Sequence, residues 1–114
     1  MFPKRGEVFW SYLDPTLGSE QSGRRPVLII QNNDSNEFAN TTIVAPLTSK
    51  IFSDLFPTHV LVKAGVLEQK FDSTILLSQI RTIDKSRLKK KIGHLAKAEM
   101  QKVDQAIKIS LALI

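Results

Sequence analysis

The sequence has 114 residues, of which 42% are hydrophobic and 24% are charged, a balance typical of a globular domain rather than of a disordered chain. It contains no cysteine, which excludes a disulfide scaffold, a thiolate zinc site and a cysteine nucleophile. Sixteen Lys and Arg residues against eleven Asp and Glu residues leave a formal charge of +5, which favours polyanionic partners. We expect one domain over residues 1–114, in the cytoplasm and without a membrane segment, since no apolar run approaches the roughly 18 residues that span a bilayer.

Short strands separated by turns and loops are predicted for the first two-thirds of the chain. The composition marks strands by β-branched, aromatic and leucine residues at 7–13, 26–31, 41–47 and 58–63. Residues 32–37 have the composition of a turn, and the strongest strand signal runs without a break from 73 to 83. Two loops interrupt the series, a polar loop at 15–25 and a polar-aromatic loop at 49–57. Loops as long as 15–25 are usually functional or disordered.

The period of the apolar residues changes near the end of the chain. Asp84 is placed to cap one helical turn over residues 85–88, and residues 91–94 suit one more short strand. Residues 97–114 then carry an amphipathic helical stripe made of Met100, Val103, Ile107, Leu111 and Ile114. We expect this stripe to pack on the core, and the surplus apolar residues beside it to form a subunit contact. The order of elements predicts a mainly β chain with a C-terminal helix, built on a small, strongly curved antiparallel sheet or barrel.

Motifs for metals and cofactors are missing from the sequence. The carboxylates and histidines show no metal-ligand spacing, and neither a P-loop nor Gly-x-Gly-x-x-Gly occurs, so we expect no metal and no cofactor. The two histidines could form a metal-free acid–base pair of the kind that ribonucleases use. His59 begins a strand and could line a groove, whereas His94 lies beside a lysine run and is expected at the surface.

Two polar side chains stand at strand ends beside the long loops. Arg25 precedes the proline that opens a buried strand, and Thr48 follows the end of another strand. A guanidinium in such a position can hold a phosphate with two hydrogen bonds and stabilise charge that develops in a reaction. Alternatively, Arg25 pairs with Asp14 or Glu20 across the loop, and spacing alone favours this structural role.

A series of motifs makes the chain recognisable. Residues 5–9 read Arg-Gly-Glu-Val-Phe, residues 18–26 read Gly-Ser-Glu-Gln-Ser-Gly-Arg-Arg-Pro, and residues 44–48 read Val-Ala-Pro-Leu-Thr. Pro-Thr-His-Val at 57–60 and Gln-Ile-Arg-Thr-Ile-Asp at 79–84 follow in the same order. From residue 5 to the last helix, the chain resembles the MazF/PemK family of toxin endoribonucleases from bacterial toxin–antitoxin systems, and in particular its Gram-positive MazF branch.

This resemblance implies an SH3-like antiparallel barrel of the PemK/CcdB kind, a homodimer, and metal-independent cleavage of single-stranded RNA at short sequences. It implies a second partner as well, a MazE-like antitoxin whose disordered tail wraps the dimer. The implied reaction is attack of a ribose 2′-hydroxyl on the adjacent phosphorus, which leaves a 2′,3′-cyclic phosphate and a 5′-hydroxyl.

Matched to the family motifs, the catalytic arginine and threonine fall on Arg25 and Thr48. Arg25 would bind the scissile phosphate and neutralise charge, because a guanidinium stays protonated at neutral pH and is a poor base, and Thr48 would donate a hydrogen bond to a phosphate oxygen. Glu20 and His59 are both candidates for the proton carrier. Arg24 departs from the family pattern, and on an extended strand it should point away from Arg25. The residues expected to contact RNA are Ser19, Glu20, Gln21, His59, Ser78 and Gln79.

Two other functions share the barrel architecture. A CcdB-like gyrase poison binds without hydrolysis and depends on a Trp-Gly-Ile C-terminus, whereas this chain ends Ser-Leu-Ala-Leu-Ile and its single tryptophan is Trp10. A generic RNA-binding barrel stacks bases on interleaved aromatic residues, a pattern that the sequence lacks. RNA cleavage in excess chelator separates the three functions.

Overall fold

The described residues form seven antiparallel strands, two short 3₁₀ turns and two helices. The structure is a computed structural model and describes residues 2–52 and 56–113. The elements in chain order are β1 (Glu7–Tyr12), β2 (Arg24–Ile29), α1 (Asn33–Phe38), β3 (Thr41–Thr48), β4 (His59–Val62), β5 (Ser73–Leu76), a 3₁₀ turn (Leu77–Gln79), β6 (Arg81–Asp84), a second 3₁₀ turn (Lys85–Arg87), β7 (Leu88–His94) and α2 (Lys97–Ser110). The prediction of a mainly β chain with a C-terminal helix is confirmed.

The strands follow one another across a single curved sheet in the order β4-β5-β3-β2-β1-β7, with β6 also paired to β3. The long strand β3 is central to this arrangement, because its first half pairs with β6 and its last two residues pair with β5. On its other edge β3 pairs with β2, where Val27 lies opposite Pro46. The ends of β2 and β3 therefore lie side by side at one end of the sheet.

Both faces of the sheet are covered by apolar side chains. On one face, Val8 and Leu28 belong to a large cluster that includes Val103 and Ala106 from α2. On the other face, Val27 and Ile29 belong to a smaller cluster. Each fully buried Val, Leu or Ile contributes about 1.5–3 kcal/mol to folding. Successive residues of β2 thus enter opposite clusters, and the predicted burial of this strand on both faces is confirmed.

The predicted turn at 32–37 is wrong, because residues Asn33–Phe38 form the helix α1. The side chain of Asn32 caps this helix by accepting a hydrogen bond from the Ser35 N–H at 2.8 Å. Asn is favoured both in turns and at helix N-caps, so composition alone does not separate the two structures.

The unbroken strand predicted over 73–83 is wrong as well, since a 3₁₀ turn at Leu77–Gln79 divides it into β5 and β6. Both strands pair with the same edge of β3: Leu47 lies opposite Ile75, and Val44 lies opposite Arg81. Three steps along β3 are therefore matched by six steps along the partner chain, and the surplus residues loop out as the turn. This turn carries two of the predicted RNA contacts, Ser78 and Gln79, out of the sheet.

The predictions for the C-terminal third agree with the structure in most respects. The Asp84 carboxylate accepts a hydrogen bond from the Ser86 N–H and caps a 3₁₀ turn, as predicted. Helix α2 starts at Lys97 and ends at Ser110, with Val103 fully buried, whereas Leu111 beyond the helix end is 55% exposed. Ile114, the last position of the predicted stripe, and residues 53–55 of the predicted second loop lie outside the described residues. No helix in the described ranges is both long enough and apolar enough to cross a bilayer.

Candidate functional site

The neighbouring ends of β2 and β3 bring Arg25 and Thr48 together. If the pairing of Val27 with Pro46 is continued by two residues, Arg25 comes to lie opposite Thr48. Both residues line one cavity of about 430 Å³, together with Trp10, Arg24 and residues of the loop before β5. We call this the arginine cavity.

The Arg25 side chain is held by the polar loop that precedes it. Its Nε–H donates to the carbonyl of Ser22 at 2.8 Å, which fixes the plane of the guanidinium. No carboxylate of the described residues forms an ion pair with Arg25, so the alternative pairing with Asp14 or Glu20 is absent there. Within the described ranges the terminal N–H groups of the guanidinium have no hydrogen-bond acceptor, so they can bind an anion.

The Thr48 hydroxyl has a fixed orientation. Thr48 is 9% exposed, and its Oγ1 accepts a hydrogen bond from the Lys50 N–H at 3.2 Å. The Thr74 hydroxyl donates to the Lys50 carbonyl at 3.0 Å, so both backbone groups of Lys50 are tied down. Because Thr48 Oγ1 acts as an acceptor in this contact, its own proton is left to be donated to a ligand.

The remaining predicted site residues gather beside Thr48. One cavity of about 460 Å³ is lined by Thr48 and by four of the predicted residues: Gln21, His59, Ser78 and Gln79. A second cavity of about 450 Å³ is lined by Ser19, Glu20, Gln21, Ser78 and Gln79. The two cavities share Gln21, Ser78 and Gln79, and we refer to them together as the glutamine groove. Thr48 lines both this groove and the arginine cavity, so the two surfaces meet at its side chain.

Hydrogen bonds connect the polar loop before β2 to the 3₁₀ turn before β6. The backbone N–H of Gln21 donates to Gln79 Oε1 at 2.8 Å, and Gln79 Nε2 donates to the Ser19 carbonyl at 3.3 Å. Gln21 Oε1 is buried and has no partner among the described residues, which leaves an acceptor in the groove. The Glu20 carboxylate accepts from the Leu17 N–H and thereby closes the loop on itself.

His59 lies in an aromatic cluster with Phe52 and Phe56, which was not among the predicted features. Its ring centroid is 4.5 Å from that of Phe52 and 4.9 Å from that of Phe56. Burial lowers the pKa of His59 below its ordinary value, so the imidazole is neutral at pH 7. His59 Nδ1 is buried without a partner in the described part of the chain. The sequence contains a signal for this cluster, because Phe52 and Phe56 are four residues apart in an otherwise polar loop that ends just before His59.

His94 and Arg24, the two other residues with an expected position, lie where the sequence predicts. His94 is exposed at the end of β7, as expected, opposite Glu7. Arg24 packs on Trp10, whereas Arg25 bonds to Ser22, which agrees with opposite orientations on the strand, although both residues line the arginine cavity. In residues 2–52 and 56–113, no three His, Asp or Glu side chains lie close enough together to bind a metal ion.

Comparisons with known proteins agree on one family. Residues 4–111 match the model of the PemK-like, MazF-like toxins of type II toxin–antitoxin systems. The chain is 54% identical over 114 residues to endoribonuclease EndoA of Bacillus subtilis strain 168, covering 100% of this chain and 98% of that protein. It is 47% identical over 110 residues to endoribonuclease MazF of Staphylococcus saprophyticus, covering 96% and 92%.

Solved structures show the same fold. MazF of Deinococcus radiodurans superposes with a TM-score of 0.84 at 23% identity, covering 98% of each chain. A mycobacterial endoribonuclease in complex with its cognate antitoxin gives a TM-score of 0.82 at 25% identity, covering 98% of this chain and 97% of that one. The chain belongs to the family of PemK-like, MazF-like toxins of type II toxin–antitoxin systems.

Proposed function

We propose that residues 1–114 act as one toxin domain, a sequence-specific endoribonuclease that cleaves single-stranded mRNA in the cytoplasm without a metal. One observation carries this proposal: Arg25 and Thr48 line the same cavity, and each has hydrogen-bond donors available for a ligand. Such a site binds and stabilises an anion but contains no activated nucleophile. It therefore suits a reaction in which the substrate supplies the nucleophile, as RNA does through its 2′-hydroxyl. The names of the relatives from Bacillus and Staphylococcus support the same activity.

In the proposed reaction, the ribose 2′-oxygen attacks the adjacent phosphorus and the bond from phosphorus to the 5′-oxygen breaks. The products are a 2′,3′-cyclic phosphate and a 5′-hydroxyl. Arg25 neutralises the additional charge on the phosphoryl oxygens of the transition state, and the Thr48 hydroxyl donates to one of them. Guanidinium groups stay protonated at neutral pH, so Arg25 acts through its charge and not as a base.

The proton of the 2′-hydroxyl needs an acceptor, for which His59 is better placed than Glu20. His59 lines the same cavity as Thr48, and burial keeps its imidazole neutral and able to take up a proton. Glu20 does not line that cavity, and its carboxylate accepts from the Leu17 N–H. The departing 5′-oxygen takes a proton from water, and protonated His59 gives its proton back to the solvent, so the step is a transesterification with no net gain or loss of protons.

The glutamine groove supplies the sequence preference in this proposal. Bases of a single strand can be splayed into a groove and read by hydrogen bonds along their edges. The amide and hydroxyl side chains of Gln21, Ser78 and Gln79 line both cavities of the groove and supply donors and acceptors for this. The groups that face the bases are Ser19, Glu20, Gln21, His59, Ser78 and Gln79.

Two protein partners belong to the proposal. A second copy of the chain would cover the apolar end of α2, where Leu111 and Leu113 are 55% and 65% exposed next to Ile109. A closed two-fold contact is the commonest way to bury such a surface. A MazE-like antitoxin with a disordered acidic segment would cover the cationic RNA site of the dimer. The similarity to a mycobacterial endoribonuclease in complex with its cognate antitoxin supports such a partner.

An RNA cleavage assay in excess EDTA tests the function. We expect the wild type to cut, and the fragments to end in 2′,3′-cyclic phosphate and 5′-hydroxyl groups. Arg25→Gln should lose about two to four orders of magnitude in rate, because one charged donor to the transition state is removed. Lys97→Gln is a matched control, since Lys97 is an exposed cation at the start of α2. It follows the strand that pairs with the Glu7 end of β1, whereas Arg25 pairs near the other end. Dependence on Mg²⁺, 5′-phosphate ends, or full activity of a folded Arg25→Gln protein would refute the proposal.

A further inference from the structure

Arg24 presents a second guanidinium at the arginine cavity, held by an aromatic ring. Its Cζ lies 4.2 Å from the centroid of the Trp10 ring, a distance typical of a cation–π contact. Trp10 is half-buried and packs against the large core cluster, so the ring itself is held in place. Arg24 is exposed, so its guanidinium is in contact both with this ring and with solvent. A guanidinium has five N–H donors, and those that face solvent can donate to an anion.

The charge of Arg24 is not neutralised within the described part of the protein. None of the ion pairs there includes Arg24. Glu68 also lines the arginine cavity, but its carboxylate pairs with Lys90 at 3.3 Å. Stacking on Trp10 therefore orders the Arg24 side chain and leaves its charge available. A cation that is ordered but unpaired has already lost part of the conformational freedom that binding would otherwise remove.

Arg24 and Arg25 are consecutive residues at the end of β2, and both line one cavity with Thr48. Their side chains leave the strand on opposite faces, one toward Trp10 and one toward Ser22. The two guanidinium groups are thus held by different partners at one cavity, an arrangement that suits two successive phosphates of one strand. A polyanion that passes over the strand end meets Arg25 at one phosphate and Arg24 at another.

We propose that Arg24, supported by Trp10, binds the RNA phosphate next to the scissile phosphate and so adds affinity and register to cleavage at Arg25. This inference rests on the proposed RNA cleavage function. Arg24 takes no part in the chemical step, because its contact with the neighbouring phosphate is the same in the ground state and in the transition state. Loss of the contact should raise KM and leave kcat unchanged.

The test measures binding of a 2′-O-methyl RNA of the cleaved sequence, which lacks the nucleophile, over a series of NaCl concentrations. For single strands the slope of log K against log salt changes by about 0.7 for each neutralised phosphate. We expect Arg24→Gln to reduce this slope by about 0.7 and to weaken binding about tenfold at low salt. Cleavage by this variant should show KM raised to a similar extent, with kcat within about twofold of the wild type.

Conservative variants and a matched control distinguish phosphate binding from a structural role. Arg24→Lys keeps the charge and should keep the slope, whereas Trp10→Phe keeps a weaker ring and should lose only part of the affinity. Lys97→Gln removes one charge elsewhere and should leave the slope unchanged. An unchanged slope and KM in Arg24→Gln would overturn this inference, as would a loss of kcat that follows a fall in thermal stability. If the wild type cleaves no RNA, the proposed function itself fails, which is a different result from cleavage that is indifferent to Arg24.

Discussion

Replacing Thr48 by valine separates the chemistry of the hydroxyl from the packing of the side chain. Valine keeps the branched shape and nearly the volume of threonine at a position that is 9% exposed. In the folded protein the Thr48 hydroxyl accepts from the Lys50 N–H at 3.2 Å, and that bond is lost. The loss of one such hydrogen bond costs about 0.5–1.5 kcal/mol, which is small against the roughly 5–15 kcal/mol that holds a domain folded. Thr48→Val should therefore fold.

The same substitution removes one of the donors to the phosphoryl oxygens. Removing a neutral donor from a site that stabilises an oxyanion costs about 10²-fold in rate, less than the loss expected for the charged Arg25. We expect kcat of Thr48→Val to fall about 10²-fold with little change in KM, and Thr48→Ser to stay within about tenfold of the wild type. The assay is single-turnover cleavage of a labelled RNA, with thermal melting of each variant.

Thr74→Val is the matched control for this experiment. The Thr74 hydroxyl donates to the carbonyl of Lys50, so its loss disturbs the same turn without removing a donor to the phosphate. We expect Thr74→Val to melt like Thr48→Val and to cleave at nearly the wild-type rate. Equal losses of rate in the two variants would show that Thr48 acts by holding the turn. Full activity of a folded Thr48→Val protein would refute any role of the hydroxyl.

Three further predictions concern stability, protonation and assembly. Asn36 is fully buried and bonds to Gln31 and to the Thr42 hydroxyl, so Asn36→Ala should lower the free energy of unfolding in urea by about 2–4 kcal/mol, and a loss below about 1 kcal/mol would contradict this network. Burial lowers the pKa of His59 in the folded state, so on acidification the unfolded state binds the proton first. His59 should therefore titrate below 6.5 by NMR, and its contribution should reduce the free energy of unfolding as the pH falls through 6.5. Titration above 6.5 would contradict the effect of burial. Leu111→Asp places a charge on the proposed dimer contact and should shift sedimentation toward the monomer, and an unaltered dimer would place the contact elsewhere.

The sequence was sufficient for the mainly β class of the fold and for the terminal helix. These features follow from local patterns, since β-branched runs and the change to helical period do not depend on distant partners. Arg25 and Thr48 stand at the ends of strands that pair with each other, and the family motifs pointed to the same two residues. Their roles in cleavage stay predictions until the variants above are measured.

The features that sequence did not predict depend on contacts between distant segments. The 3₁₀ turn at Leu77–Gln79 arises because β5 and β6 share one edge of β3 with a surplus of residues, which no local pattern reports. The contact between Arg24 and Trp10 joins two strands, so the spacing of residues along the chain does not predict it. Propensity describes single segments, whereas these features belong to the pairing of segments.

The same surplus of residues explains how the groove and the catalytic pair are held in one frame. The looped-out turn places Gln79 where its side chain accepts from Gln21 and donates to Ser19, so the polar loop before β2 is fastened to the sheet. That loop leads directly into Arg25, whose guanidinium is oriented by Ser22 of the same loop. Groups that would read bases and groups that would hold the scissile phosphate are therefore fixed by one set of hydrogen bonds. Because an error of about 1 Å in the position of a reacting group can cost about 10²-fold in rate, a base that fits the groove poorly should displace the phosphate from Arg25 and be cleaved slowly.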